Sequence, residues 1–285
     1  MAFEPFAFVE NLFLFTKSDI KTILIPITVF GCLSAPSTGF ARLLHTIAWV
    51  WLNLLQFCVS NQSLPDSVEE DVRNKPWRPI PAHRVSLLAA RKLRWALLPL
   101  CLAISLGYHV GYPGLALALG IWVNNELALD SHWITRNLCC ALGYAAFNAG
   151  ATYVACGPRT CHLGSTTVAT HVNAALIVLT TIHAQDFEDI AGDRLSKRKT
   201  LPIVYPYASR VSMAVALPAW SIAICVIWGA TALQAIVLTG LASYLGWRFH
   251  FLRSPTADRR SYIIYNLWLC FAQGFPFLVQ HHASV

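Results

Sequence analysis

Charged residues are scarce in this chain. Only 12% of its 285 residues are Asp, Glu, Lys or Arg, whereas a soluble domain carries about a quarter. Low-complexity stretches are also missing, which excludes an extended disordered protein. The nine cysteines show no C-x-x-C spacing, which argues against a zinc site. Cys156 and Cys161 flank a short loop, where either a disulfide in an oxidising lumen or two free thiols would fit.

What the chain does contain is a series of apolar runs. Their lengths approach the ~20 residues that a helix needs to cross a bilayer. The spans must be helices, because a lone strand would leave backbone groups unpaired in lipid. The first stretch, Met1–Thr16, has acids but no basic residue, so we expect no cleavable signal peptide. We therefore predict one all-α membrane domain over residues 1–285, with 1–19 either an interfacial helix or a poorly ordered tail. The nine predicted spans are 22–37, 41–61, 93–111, 113–128, 138–156, 166–184, 210–229, 232–248 and 261–280.

Basic residues are distributed unevenly between the two sides of these spans. If the N-terminus is cytosolic, nearly all Lys and Arg fall on the cytosolic side, and only Arg42 and Arg159 face the other side. This asymmetry follows the positive-inside rule and supports nine spans. The net charge of +7 then reflects the orientation of the protein in the membrane. Because the basic residues lie on short membrane loops, we do not expect a nucleic-acid partner. We expect an integral protein of the endoplasmic reticulum.

The long cytosolic loop at 185–209 carries the clearest chemical signal. If span six continues as a helix, Asp186, Asp189 and Asp193 share one face, while Glu188 points elsewhere as a solvated charge. Three such carboxylates repel one another unless a cation lies between them, and hard oxygen ligands suit Mg²⁺ bound to phosphate. Alternatively, the acids pair with neighbouring bases at the membrane surface. The bases that follow are Arg194, Lys197, Arg198 and Lys199.

The long loop at 62–92 repeats this order of acids and bases. Pro65 lacks an amide donor, so span two should kink or restart there, and Ser63 with Asp66 resembles a capping box. Spans two and six run in the same direction, so both acidic clusters can face one cavity and hold a diphosphate through metals. A solvated helix face explains this cluster equally well. Its acids are Asp66, Glu69 and Glu70, which share a face, and the adjacent Asp71.

At these residues the chain resembles the UbiA superfamily of intramembrane prenyltransferases. Segment 186–202, with Asp-x-x-Asp-Ile-x-Gly-Asp-Arg and a closing Thr-Leu-Pro, looks like the family's second aspartate-rich motif. Segment 61–79 resembles the first motif and ends, as the family does, with Arg-Pro. The resemblance spans roughly 20–280 and implies a nine-helix bundle in the lipid bilayer, Mg²⁺ as cofactor and an isoprenoid diphosphate as substrate. Segment 69–81 is similar to the fungal branch, which includes membrane-bound terpene cyclases.

Several positions depart from the family's pattern. Its two first-motif aspartates fall on Pro65 and Glu69, so metal ligation there would pass to neighbouring acids. His132 and Arg136 stand where the family has Tyr and Lys, and Lys197 replaces a glycine. These departures leave the first motif's individual assignments open.

The resemblance assigns three roles to residues of this chain. Catalytic roles go to Asn61, Asp189, Asp193 and Asn148, the last because it ends a Gly-x-x-x-Phe-Asn string. Substrate-binding roles go to Arg73, Lys75, Arg78, Arg136, Arg194, Lys197 and Arg198. Metal-binding roles go to Asp66, Glu69, Glu70, Asp71, Asp186, Asp189 and Asp193.

The expected reaction is loss of diphosphate from a C15 substrate, followed by cyclisation of the cation to a sesquiterpene. The main alternative is transfer of the prenyl group to an aromatic acceptor. If the protein is not an enzyme, the alternative is a membrane transporter. A cyclase needs a dry pocket with aromatic faces, although aromatic residues in membrane proteins also serve as packing or interface belts. The candidates placed away from helix ends are Trp49, Trp122, Phe147, Tyr244, Trp268 and Phe271.

Overall fold

The computed structural model describes residues 5–35, 38–157 and 164–283, which fold almost entirely into α-helices. Within those ranges no strand forms, and the one extended pairing is an isolated bridge between His132 and Lys199. The predicted all-α class is therefore confirmed. Cys161 and Arg159 lie outside the described residues, and so does the predicted choice between a disulfide and free thiols at Cys156 and Cys161.

Thirteen α-helices follow one another along the described ranges. They are α1 (Pro5–Thr16), α2 (Ile25–Ser34), α3 (Phe40–Gln62), α4 (Pro65–Asn74), α5 (Leu87–Gly107), α6 (Gly111–Glu126), α7 (Trp133–Cys156), α8 (Ser165–Thr181), α9 (Asp186–Leu195), α10 (Leu201–Val204), α11 (Pro206–Trp228), α12 (Ala232–Phe251) and α13 (Pro255–Ala283).

Each of the nine predicted spans coincides with a helix, but not every helix is long enough to cross a bilayer unaided. The π-helical segment Ile20–Leu24 runs directly into α2, and the resulting helix Ile20–Ser34 is about 22 Å long against a hydrocarbon core of about 30 Å. The count of nine membrane spans is therefore not confirmed, whereas an integral membrane protein is well supported. The described stretches with the length and composition of a span are Phe40–Gln62, Trp133–Cys156, Ser165–Leu195, Pro206–Trp228 and Pro255–Val279.

Small residues and buried aromatic side chains hold the bundle together. Gly31 of α2 lies so close to α7 that an added Cβ would come within 2.8 Å of the Ala151 carbonyl carbon. Close backbone approach of this kind is typical of helices that associate in membranes. Trp49 and Trp268 are fully buried, and each indole N–H donates to a buried serine hydroxyl 3.0 Å away. The largest core side chains thus bring no unpaired donor into the bundle.

The predicted break at Pro65 is confirmed, because α3 ends at Gln62 and α4 begins at Pro65. The predicted capping box is wrong. Leu64 is the residue before α4, and no side chain of the described residues caps that helix. Ser63 still belongs to the end of α3, where its hydroxyl donates to the Ser60 carbonyl at 3.0 Å. The hydroxyl is therefore engaged by the preceding helix and not by the following one.

The N-terminal helix α1 packs against the start of the bundle. Phe15 is buried, and its carbonyl accepts a hydrogen bond from the Gln62 side chain at 2.8 Å. On the opposite face, Phe6 and Phe13 are 83% and 46% exposed. Residues 5–16 are thus helical with an exposed aromatic face, and their location at a membrane interface stays a prediction.

Candidate active site

Two short acidic helices, α4 and α9, lie side by side at one end of the bundle, which we call the acidic end. Each follows a long helix after a break, α4 after α3 and α9 after α8 with the 3₁₀ turn Ile182–Gln185 between them. They approach closely at Gly192, where an added Cβ would lie 2.0 Å from the Asn74 amide nitrogen and 2.9 Å from a side-chain carbon of Glu70. A larger residue there would push the two acidic helices apart.

The connection between α6 and α7 also reaches the acidic end. The Ser131 carbonyl accepts from the Lys199 N–H at 2.7 Å, and the Trp133 N–H donates to the Lys199 carbonyl at 3.0 Å. This pairing holds the start of α7 next to the segment that follows α9. The His132 imidazole accepts the Ile134 N–H at 3.3 Å and so caps α7.

Two of the three aspartates predicted to share a face of α9 meet a base from another segment. Asp186 is fully buried, and its Oδ1 accepts from Arg136 Nη2 at 2.9 Å and from Arg136 Nε at 3.0 Å. Asp189 accepts from Lys75 Nζ at 3.2 Å. Lys75 follows α4 and Arg136 lies in the first turn of α7, so α9 is tied to both neighbours by charge-assisted hydrogen bonds.

Arg198 gathers the third aspartate and two further acids. Its guanidinium lies 3.4 Å from Asp193 and 2.8 Å from Asp130, and it also pairs with Glu70. Burial and the neighbouring Arg136 lower the pKa of Arg198, but the three carboxylates more than compensate and raise it above its ordinary value. Arg198 therefore stays charged at the centre of the acidic end.

Three acids of α4 face the end of α9, as their spacing predicts. Asp66 and Glu69 are exposed and line a pocket of about 180 Å³ with Ser196 and Lys197. Glu70 is buried and accepts from the Ser196 hydroxyl at 3.3 Å. Lys197 has a φ of +55°, a conformation that glycine adopts more easily. This backbone conformation explains why the family usually has a glycine at this position.

Asp71 turns away from the other acids of α4. Arg78 Nη1 lies 2.7 Å and 2.8 Å from its two carboxylate oxygens. Burial raises the pKa of Asp71 above its ordinary value, although Arg78 acts in the opposite direction. The structure therefore places Asp71 in a buried ion pair and not on the face that meets α9.

The acidic end suits a hard divalent cation in its donor atoms. Oδ2 of Asp186 and Oδ2 of Asp193 are buried, and neither accepts a hydrogen bond within the described residues. Burying an unpaired carboxylate oxygen is costly, and Mg²⁺ binds such oxygens. Across the described part of the chain, no three Asp, Glu, His or Cys side chains gather at metal-binding spacing. Lys75, Arg136 and Arg198 hold the carboxylates instead, so binding a cation requires some of these pairs to exchange.

The other predicted site residues lie at different distances from this cluster. Arg73 and Arg194 are exposed, and neither forms an ion pair within the residues that the structure describes. Asn61, at the end of α3, has a buried side-chain oxygen with no partner in the described residues. Both amide atoms of the Asn148 side chain are buried and unpaired there, more than three turns and about 18 Å along α7 from Arg136. Asn148 thus lies deep in the bundle, away from the ion pairs.

The six aromatic residues predicted to line a cavity divide into two groups. Three are buried, namely Trp49, Phe147 and Trp268. The other three are 47–48% exposed. The prediction is wrong for Tyr244 and Phe271, which face the outside of the bundle, whereas Trp122 lines a small pocket with Gln56 and Ser60. Their helices carry apolar residues around the whole circumference, so the sequence pattern does not distinguish the inward face from the outward face.

Sequence reasoning missed three charged residues. Asp130 pairs with Arg198 although no motif spacing links them. Arg210 and Asp258 form a buried bidentate ion pair across 48 residues of chain. One local feature of the sequence indicates Asp258: it is the acid in the first turn of α13, and the charged residues next to it are bases.

The chain matches known proteins over nearly its whole length. It is 31% identical over 275 residues to fumagillin beta-trans-bergamotene synthase of Aspergillus fumigatus, covering 95% of this chain and 93% of that protein. It is 30% identical over 279 residues to a polyprenyl transferase of Hericium erinaceus, covering 92% of each.

Fold and family comparisons agree with these matches. A UbiA homolog from Archaeoglobus fulgidus, solved bound to GPP and Mg²⁺, has a TM-score of 0.64 and 15% identity, over 94% of this chain and 98% of that chain. At this identity the likeness shows the fold. The model of the UbiA prenyltransferase family matches residues 23–270. With its two acidic helices meeting at one end of an all-α membrane bundle, this chain belongs to the UbiA prenyltransferase family.

Proposed function

We propose that the protein is a membrane-bound, Mg²⁺-dependent terpene cyclase that removes diphosphate from farnesyl diphosphate and closes the carbocation to a sesquiterpene. The observation that carries the proposal is the acidic end itself. Two buried carboxylate oxygens that have no partner among the described residues, on Asp186 and Asp193, lie among the guanidinium groups of Arg136 and Arg198. Acids and bases gather at one end of the bundle and do not extend through it, as they would in a transporter.

The chain's own residues can bind and neutralise a diphosphate at this end. Lys75, Arg136 and Arg198 now pair with carboxylates that would otherwise hold a cation. When these carboxylates turn toward a cation, the freed bases can donate to the phosphate oxygens. Asp186, Asp189 and Asp193 would hold Mg²⁺ with Glu69 and Glu70 of α4. The bound ion would supply charge neutralisation on the leaving diphosphate.

The reaction proceeds through ionisation, cyclisation and loss of a proton. The allylic C–O bond breaks, and diphosphate leaves with the electron pair, neutralised by the bases of the acidic end. The distal double bond of the same chain attacks the remaining cation and forms a carbon–carbon bond. A C–H bond next to the new cationic carbon then breaks, its electrons form a double bond, and the released diphosphate accepts the proton, which leaves a neutral hydrocarbon. The buried Phe147 and Trp49, whose rings are 6.3 Å apart, offer aromatic faces deep in the bundle that can stabilise positive charge.

Transfer to an aromatic acceptor is the second candidate, and the relatives give the reason to keep it. A bergamotene synthase and a polyprenyl transferase match this chain at 31% and 30% identity, so identity does not separate the two activities. Cyclisation is favoured by the fungal type of the first motif, and by His132 and Arg136 in place of the family's Tyr and Lys.

The deciding experiment supplies membranes containing the protein with C10, C15 and C20 diphosphates, Mg²⁺, and either no acceptor or a phenolic acceptor. Gas chromatography should detect a cyclic C15 hydrocarbon without any acceptor, and membranes with Asp193→Ala serve as the control. A prenylated phenol as the sole product would exclude the cyclase and leave a transferase. No consumption of any diphosphate would contradict both activities.

The same proposal places the protein in the endoplasmic reticulum with its acidic end in the cytosol. Support comes from the basic residues, which concentrate at this end. In sealed microsomes, Lys197→Cys should react with a membrane-impermeant maleimide, because Lys197 is exposed at the acidic end. Gly39→Cys, exposed before α3, should react only after permeabilisation. The reverse pattern would invert the proposed orientation.

A further inference from the structure

The second acidic helix is anchored on the side that faces away from its carboxylates. Successive helix residues are rotated by about 100°, so Phe187 projects well away from the face shared by Asp186, Asp189 and Asp193. Phe187 is buried, and its ring centroid lies 5.3 Å from that of Phe249 at the end of α12. Phe187 therefore joins α9 to the neighbouring helices without touching the ion pairs of the acidic end.

A buried arginine covers the Phe187 ring. The guanidinium carbon of Arg210, in the second turn of α11, lies 4.4 Å from the ring centroid. The guanidinium itself is fixed by Asp258 of α13 through two hydrogen bonds of 2.9 Å, and by the Phe249 carbonyl at 2.6 Å. Arg210 and Asp258 are only 7% and 2% exposed. Three helices thus converge on one arginine, whose flat face rests on α9.

We infer that Arg210, oriented by Asp258, is a positioning residue for the metal-binding face of α9. By clamping Phe187, it sets the rotation of α9 about its axis. That rotation directs Asp186 toward Arg136 and Asp189 toward Lys75. Arg210 contacts neither carboxylate. The inference rests on the proposed function. It adds Arg210 of α11 and Asp258 of α13 to the residues that determine the geometry of the acidic end.

A second link between α9 and α13 provides a matched control. Arg259 Nε donates to Glu188 at 2.9 Å, but the Arg259 side chain is 62% exposed. The prediction of Glu188 as a solvated charge is wrong, because its side chain is only 11% exposed and paired. With one partner exposed to solvent, this ion pair should contribute less than the buried pair of Arg210 and Asp258. Arg259→Gln removes a link between the same two helices without disturbing the buried clamp, so only the clamp variants should change the metal site.

The test compares Arg210→Lys, Phe187→Leu and Arg259→Gln in purified protein in nanodiscs. Lys keeps the charge but loses the planar bidentate fork, and Leu removes the ring. We expect the Kd for Mn²⁺, measured by electron paramagnetic resonance, to rise about tenfold in the first two variants, as when residues that orient metal ligands are lost. The Mg²⁺ concentration for half-maximal turnover should rise in parallel. Arg259→Gln should match the wild type in both.

Two further variants separate positioning from a general structural role. Phe187→Tyr keeps the ring and should retain wild-type Mn²⁺ affinity. Arg210→Lys combined with Phe187→Leu should be no weaker in Mn²⁺ binding than either alone, because both act through one contact. Unchanged Mn²⁺ affinity in folded Arg210→Lys and Phe187→Leu, beside a wild type that binds Mn²⁺ and turns over substrate, would overturn the inference. A wild type that neither binds Mn²⁺ nor consumes any diphosphate would overturn the proposed function and, with it, the role of Arg210.

Discussion

The two acidic helices differ in how their carboxylates are held. Asp186 and Asp193 of α9 are fully buried and face bases from other segments, whereas Asp66 and Glu69 of α4 are exposed beside a pocket. A buried carboxylate demands a partner in a defined place, while an exposed one tolerates many arrangements. Asp186 and Asp193 are therefore held in defined places by Arg136 and Arg198, whereas the two exposed acids of α4 are not.

Removing divalent cations should have the largest effect, because it acts on both helices at once. The Oδ2 atoms of Asp186 and Asp193, unpaired within the part of the chain that the structure describes, are the oxygens that would lose the proposed cation. Excess EDTA should abolish turnover of farnesyl diphosphate, and Mg²⁺ or Mn²⁺ in excess over the chelator should restore it. The measurement is hydrocarbon formation by gas chromatography. Full activity in EDTA would contradict a metal site on either helix, and the two helices could then not be compared as metal-binding elements.

Truncation of single carboxylates on α9 should be the next largest effect. Asp189→Ala and Asp193→Ala should each lower turnover on the order of a thousandfold, the equivalent of several kcal/mol of lost charge stabilisation at the leaving group. Membrane insertion should be retained, checked by monodisperse elution in detergent.

Glu188→Gln is the matched control, since this acid of the same helix lies off the face of the three aspartates and pairs with Arg259, whose side chain is 62% exposed. Its turnover should stay within about twofold of wild type, because Gln keeps the size of the side chain and its oxygen can still accept from Arg259. Near-normal turnover of either aspartate variant would show that the second motif is misassigned.

The sequence allowed the prediction of features that depend on local spacing. Apolar runs located the helices, Pro65 located the break before α4, and the shared face of Asp186, Asp189 and Asp193 followed from helix geometry. These features need only residues within one or two turns.

Pairings between distant segments could not be predicted in this way. Arg198 with Asp130 and Arg210 with Asp258 depend on which helices become neighbours, and no local period encodes that. The same limit applies to Phe271, whose outward direction is invisible in a helix that is apolar on several sides. The missed residues are therefore those whose role arises from tertiary packing.

Within α4, replacing a buried acid should lower the free energy of unfolding far more than replacing an exposed one. Asp71→Asn leaves the Arg78 guanidinium, 11% exposed, without its carboxylate, and breaking a buried ion pair costs about 3–5 kcal/mol. Asp66→Asn on the exposed side should change stability by no more than about 0.5 kcal/mol. Thermal unfolding in detergent, followed by tryptophan fluorescence, measures both. Equal midpoints would show that the division of α4 into buried and exposed acids has no energetic consequence.

The smallest expected effect concerns product identity and compares a buried aromatic with an exposed one. Phe147 is 5% exposed and Phe271 is 48% exposed, so only the first can meet a cation inside the bundle. An aromatic face contributes roughly 0.5–2 kcal/mol to a nearby cation, which corresponds to about 2- to 30-fold in a product ratio. In a cyclase, Phe147→Leu should therefore release the cation early and raise the share of acyclic or alternative hydrocarbons. In a transferase, the same change should mainly slow coupling to the acceptor.

Phe271→Leu is the control, because its ring faces outward and its loss should leave the product ratio unchanged. Trp268→Leu is a less suitable probe, since it would also leave the Ser221 hydroxyl without its indole donor. Gas chromatography with a C15 diphosphate, with and without a phenolic acceptor, distinguishes the outcomes. Identical product ratios in Phe147→Leu and Phe271→Leu would mean that the cation never meets Phe147. The cyclisation chamber would then have to lie along a different part of the bundle.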